Sequence, residues 1–85
     1  MVKVKRLVLD VMKPVDPSII ELSKSINGLV DVQAVDITVT NVERKVEAIK
    51  LVVEGNDLNF DTVRKLLEQH GATIHNVDRV TTGKP

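Results

Sequence analysis

Apolar residues recur along this chain with two alternating periods. Over residues 3–12 the period is two. Leu7, Leu9 and Val11 fall on one face of a strand, with Val8, Asp10 and Met12 on the other. Pro14 has no amide proton and reads as the end of pairing. Helical spacing follows, with Ile19, Leu22 and Ile26 on one stripe. Asp16 is the expected N-cap, Pro17 the first helical residue, Val15 and Ile20 a hydrophobic staple, and Gly28 a left-handed stop. Residues 30–42 return to period two, setting Val35, Ile37 and Val39 against Ala34, Asp36, Thr38 and Thr40. After a turn near Glu43-Arg44, residues 46–54 place Ile49, Leu51 and Val53 opposite Ala48, Lys50 and Val52. Asn59 is the expected cap of a helix over 60–70 that buries Phe60, Val63 and Leu67, flanks them with Leu66 and closes at Gly71. In the last strand, 73–82, Ile74, Val77 and Val80 do not share a period-two face, which predicts a bulge or a twist near Asn76.

The order β-α-β-β-α-β, joined by right-handed crossovers, predicts an α+β ferredoxin-like sandwich, a four-stranded antiparallel sheet with both helices on one face. A faint internal echo, Gly28…Ala34-Val35-Asp36 against Gly71…Asn76-Val77-Asp78, fits two halves. Residues 1–82 read as one domain and 83–85 as a mobile tail.

Such a sheet leaves one face bare. That face should present Val8, Asp10, Met12, Lys50, Val52, Ala34, Asp36 and Thr38, a mixture that a lone monomer would not choose. Size and charge sharpen this reading. An 85-residue domain buries only roughly 60–65% of its unfolded surface, so association would help it. Twelve basic residues balance twelve acidic ones, which removes the mutual repulsion of copies and the basic excess of a nucleic-acid binder. The expected partner is therefore another copy of the chain, with Val8, Met12, Thr38, Lys50, Val52 and His75 as interface candidates.

Candidate chemistry is sparse. There is no cysteine, so disulfides and thiolate metal sites are excluded, including the Cys-x-x-Cys loop of a copper chaperone of this shape. No apolar run is long enough to span a membrane and nothing at the N-terminus reads as a signal peptide, so the expected location is cytoplasmic. Phe60 is the single aromatic, and neither central strand carries the stacking rings of an RNA-recognition module. The loop after the first strand lacks the arginine of an acylphosphatase, and no glycine-rich phosphate loop exists. Asp57, Asn59, Asp61 and Glu68 mimic half a calcium loop, but Thr62 stands where that loop needs glycine, and helix capping accounts for them. His75 and Asp78, three apart on a strand, point to opposite faces unless a bulge intervenes. A structural role at the edge or against a neighbouring subunit suits His75 best, metal binding next and catalysis least, and His70 reads as a helix C-terminal residue. Asp10 and Lys50 should be cross-strand partners on the bare face. A sharper alternative joins Asp10 with Asp36 or Asp78 as oxygen ligands of a divalent cation such as calcium.

The segments VLDVMKPVDPSIIELS, VDITV, LVVEGNDLNFDTVRKLLEQHGATIHNVDRV and TTGK resemble a small archaeal domain-of-unknown-function family. That family is typified by a Leu-Asp-Val-x-Lys-Pro start and an Ile-His-Ser-x-Asp ending. Asp10, Lys13, Pro14, Pro17, Glu21, Gly55, Asp57, Gly71, His75, Asp78 and Gly83 carry the match. The resemblance implies a ferredoxin-like fold, an archaeal cytoplasmic protein and closed homo-oligomeric rings of six or seven subunits, without an assigned activity. The chain departs from the pattern at Val15, Asn76 and Arg79 and in the turn Glu43-Arg44-Lys45-Val46-Glu47, each a lost polar or acidic group that weakens any cation site. The reading is a non-enzymatic binding or scaffold protein of unknown small-molecule ligand, ring-forming as the resemblance implies, with a weak divalent-cation site near the subunit contacts. The alternative is a regulatory module resembling ACT domains, with a ligand near Lys13 to Ser18.

Overall fold

A computed structural model describes residues 1–84. The elements are β1 (Lys3–Pro14), α1 (Ile19–Asn27), β2 (Val32–Glu43), β3 (Val46–Gly55), α2 (Phe60–Gln69) and β4 (Thr73–Gly83). They form one antiparallel sheet in the order β2-β3-β1-β4, the ferredoxin-like arrangement expected from the pattern. Leu7, Leu9 and Val11 of β1 and Ile49, Leu51 and Val53 of β3 meet Leu22, Ile26, Val63 and Leu67 of the helices in the core.

Several local expectations need correction. The first strand runs two residues past the expected 3–12 and ends on Pro14, which still pairs with Val46, while the Val15 amide donates to the Lys45 carbonyl at 3.0 Å. Successive amides point to opposite sides of a strand, so the nitrogen of Pro14 faces the β4 side, where pairing has already ended at Thr73. Helix α1 is capped by Ser18 instead of Asp16, the Ser18 hydroxyl accepting from the Glu21 amide at 3.2 Å in a Ser-x-x-Glu spacing. With the cap displaced by two residues, Val15 and Ile20 form no staple and both are exposed. Gly28 ends α1 with an ordinary right-handed backbone, φ −76°; only Gly71 stops its helix at positive φ, 78°. Phe60 opens α2 at the surface, and Leu58, whose amide is anchored on the Val4 carbonyl at 2.9 Å, fills the core place expected for it. Asn59 is the cap of α2, as expected, its side chain accepting from the Thr62 amide at 3.1 Å. Gly83 pairs with Lys3 and so belongs to β4, which shortens the expected tail; Pro85 lies outside the described residues.

The expected irregularity in β4 is present. Asp10 pairs with Asn76 and Val11 with Ile74, which leaves His75 as an extra residue; Val8 pairs with Arg79 and Leu9 with Val77, which leaves Asp78. Two bulges therefore flank Asn76, and the sheet forms rows across all four strands. On the bare face, Asp36, Val52, Val8 and Arg79 share one row and Thr38, Lys50, Asp10 and Asn76 the next. On the helix side the rows run Val35-Val53-Leu7-Val80, Ile37-Leu51-Leu9-Val77 and Val39-Ile49-Val11-Ile74.

Candidate functional site

The centre of the bare face is an ionic cluster. Register sets Asp10 opposite Lys50, and their side chains form an ion pair at 2.9 Å. The bulge turns Asp78 toward the same ammonium, which donates to it as well, and the Asn76 amide donates to the other Asp78 oxygen at 2.6 Å. One lysine thus bridges two carboxylates from two different strands. The short bonds have the expected electrostatic effect. Lys50, through Asp78 first and Asp10 next, holds its proton more tightly than an ordinary lysine. The Asp78 carboxyl is held below its usual range, chiefly by Lys50 and also by Asn76.

The signs of both shifts give a pH prediction. The cluster's contribution is fully present between the ordinary values of 3.8 for the carboxyl and 10.5 for the ammonium. It is lost as pH falls through the lowered pKa of Asp78, and as pH rises through the raised pKa of Lys50. Lys50→Met should flatten both limbs of a plot of melting temperature against pH.

Of the three proposed cation ligands, Asp10 and Asp78 come together. Asp36 sits one row away at the β2 edge, exposed, and among the described residues no three His, Asp or Glu groups are placed to hold a metal ion. A divalent ion between Asp10 and Asp78 would have to displace the Lys50 ammonium. Calcium should therefore raise the melting temperature of Lys50→Met more than that of the unaltered chain, as read by thermal shift.

Of the interface candidates, Val8, Val52 and Lys50 are half-buried in the middle of the bare face, and Met12 and Thr38 are exposed on it. Met12 adjoins a shallow hollow of about 370 Å³ lined by Asn41, Glu43, Arg44, Val46 and Ala48. His75 is exposed at the first bulge of β4. His70 ends α2, its ring nitrogen 2.9 Å from the Leu66 carbonyl. Asp61 and Glu68 pair with Arg64 along α2, at 3.2 and 3.3 Å, and Asn59 caps that helix, so three of the four residues that mimic a calcium loop are engaged in helix contacts.

One pair was missed from the sequence. Lys13 is 1% exposed, its ammonium donating to Glu47 at 2.6 Å and to the Val15 carbonyl at 3.3 Å. The signal was parity, since Leu7, Leu9, Val11 and Lys13 all fall on the helix side.

Comparison with known proteins adds a family. The chain is 37% identical over 81 residues to the uncharacterized protein MJ0319 of Methanocaldococcus jannaschii, covering 95% of this chain and 84% of that protein. A family model described as "Uncharacterized ArCR" matches residues 5–85, and the chain belongs to that family, DUF211.

Proposed function

We propose that this chain is a self-assembling, non-enzymatic binding or scaffold protein, cytoplasmic and archaeal, whose copies close into a ring of six or seven. The observation that supports the reading is the bare face of the sheet. Met12 and Val46 are 42% and 40% exposed there, beside half-buried Val8, Ala48 and Val52, and no helix covers them. A domain this small gains proportionally from covering such a surface. The zero net charge sets no electrostatic barrier to contact between copies. A weak cation site at Asp10 and Asp78 fits the same face, its strength limited by competition from Lys50.

The ACT-like alternative has less support. Its ligand would approach Lys13 to Ser18, yet the Lys13 ammonium is already committed to Glu47 and Val15. Size-exclusion chromatography with light scattering at micromolar concentration tests the assembly. A defined oligomer is expected, and a strict monomer overturns the reading. A selective rise in melting temperature with an amino acid would favour the ACT-like alternative.

A further inference from the structure

We propose that copies of this chain join edge to edge, β4 of one lying antiparallel along β2 of the next, so that the sheet continues from copy to copy. The inference rests on the self-assembly reading and gives it one contact at the sheet edges, distinct from the bare face. Both edge strands are long, and each presents a row of unpaired backbone groups. In the order β2-β3-β1-β4 all neighbours are antiparallel, so the two edges run in opposite directions and a repeat of the unit brings them together as an antiparallel pair.

The rows say what would meet. On the helix side, all three rows end in branched apolar residues at both edges: Val35 and Val80, Ile37 and Val77, Val39 and Ile74. Val77 and Val80 face the helix layer yet remain 42% and 49% exposed, whereas their row neighbours Leu9 and Leu7 are buried. At the other edge an open groove lies between α1 and β2, its apolar wall formed by Ile19, Ile20, Val35 and Ile37 beside the carboxylates of Asp36 and Glu54, with Ile20 63% exposed. A neighbour's Val77 and Val80 supply the apolar surface this groove lacks. On the bare face, the row through Val52 and Val8 ends in Asp36 at one edge and Arg79 at the other, both exposed, so the charges at the junction are opposite. Such a contact is head-to-tail and closes a ring when the sheet curves; the two bulges in β4 supply bending at the junction.

The absence of cysteine makes a clean test. Within one chain, positions 36 and 79 are three strand spacings apart, roughly 14 Å. A disulfide needs Cα atoms within about 7 Å, so it cannot form internally. The double variant Asp36→Cys/Arg79→Cys, oxidised and run on a non-reducing gel, should give a ladder rising to the full ring, while each single variant stops at dimers. Val77→Lys, checked for folding by circular dichroism, should drop to single-chain mass in light scattering. Loss of assembly in a folded cysteine variant supports the contact too, since both positions are exposed at opposite edges of one chain. An oligomer of undiminished mass that gives no rungs above dimer, and whose mass Val77→Lys leaves unchanged, overturns the edge contact while self-assembly stands. A single-chain mass for the unaltered protein overturns both.

Discussion

Gly55→Ala should be among the most damaging single changes, lowering stability by about 3 kcal/mol or more. The reason is contact, not conformation. A Cβ at Gly55 would stand 2.0 Å from the Asp31 carbonyl oxygen and 2.7 Å from Leu58 Cδ2. The leucine end can rotate away, but the carbonyl belongs to the backbone leading into β2, and β2 is held by its ladder to β3. Relief therefore means pulling β2 from β3 at the pair Val32 and Gly55, where Val32 is already part of the core. For a domain whose total stability is on the order of 5–10 kcal/mol, such a loss is a large fraction. Urea unfolding should show the midpoint falling by ~2 M. Gly83→Ala is the control, because a Cβ there meets only the Lys5 side chain at ordinary distance, 3.6 Å. Equal effects at the two glycines would remove the close-approach explanation.

Glu47→Ala should cost a similar amount, about 3–5 kcal/mol, because it leaves a buried ammonium without its counter-charge. Lys13 is held on the helix side of the sheet with one strong partner and one carbonyl, and among the described residues Glu47 is the carboxylate within ion-pair distance of it. The pair also spans β1 and β3 next to the hairpin turn, where the Val15 amide meets the Lys45 carbonyl, so its loss loosens both loops at that end. The double change Lys13→Met/Glu47→Leu removes the charge together with its partner and should recover most of the loss. A double variant as unstable as Glu47→Ala would show that shape, and not the unpaired charge, is at issue.

The bare-face cluster differs from this buried pair in kind. Lys50, Asp10 and Asp78 keep about a quarter to two-fifths of their side-chain surface in water, at 37%, 39% and 23%. Exposed pairs of this sort contribute little to the stability of one chain. Covered by a neighbouring surface, the same three charges would be desolvated together, and their mutual satisfaction would then decide whether the face can be buried at all.

The elements and their inner faces were legible because each rests on a local period. Leu7, Leu9 and Val11, or Ile49, Leu51 and Val53, need only alternation to declare their side, and the buried set follows them. Caps were less legible, because Asp16, Pro17 and Ser18 all suit a helix start and only the folded chain selects Ser18. Phe60 misled for a related reason: it fits the helical stripe, but it sits at the first position of α2, where the chain enters from the surface, and Leu58 in the preceding loop is nearer the core.

Six elements, their order, the inner faces of β1 and β3, the absence of thiol chemistry and the Asp10–Lys50 pairing were all written in the linear pattern. All of these follow from alternation and composition. Only the folded chain shows that Asp78 joins Lys50 while Asp36 does not, that Glu47 is the partner of Lys13, and that Gly55 has no room for a methyl group. Those facts depend on register between strands. A bulge advances one strand by a residue relative to its neighbour; the broken period of Ile74, Val77 and Val80 announces one in β4, but the partner strand decides which side chain it turns toward Lys50.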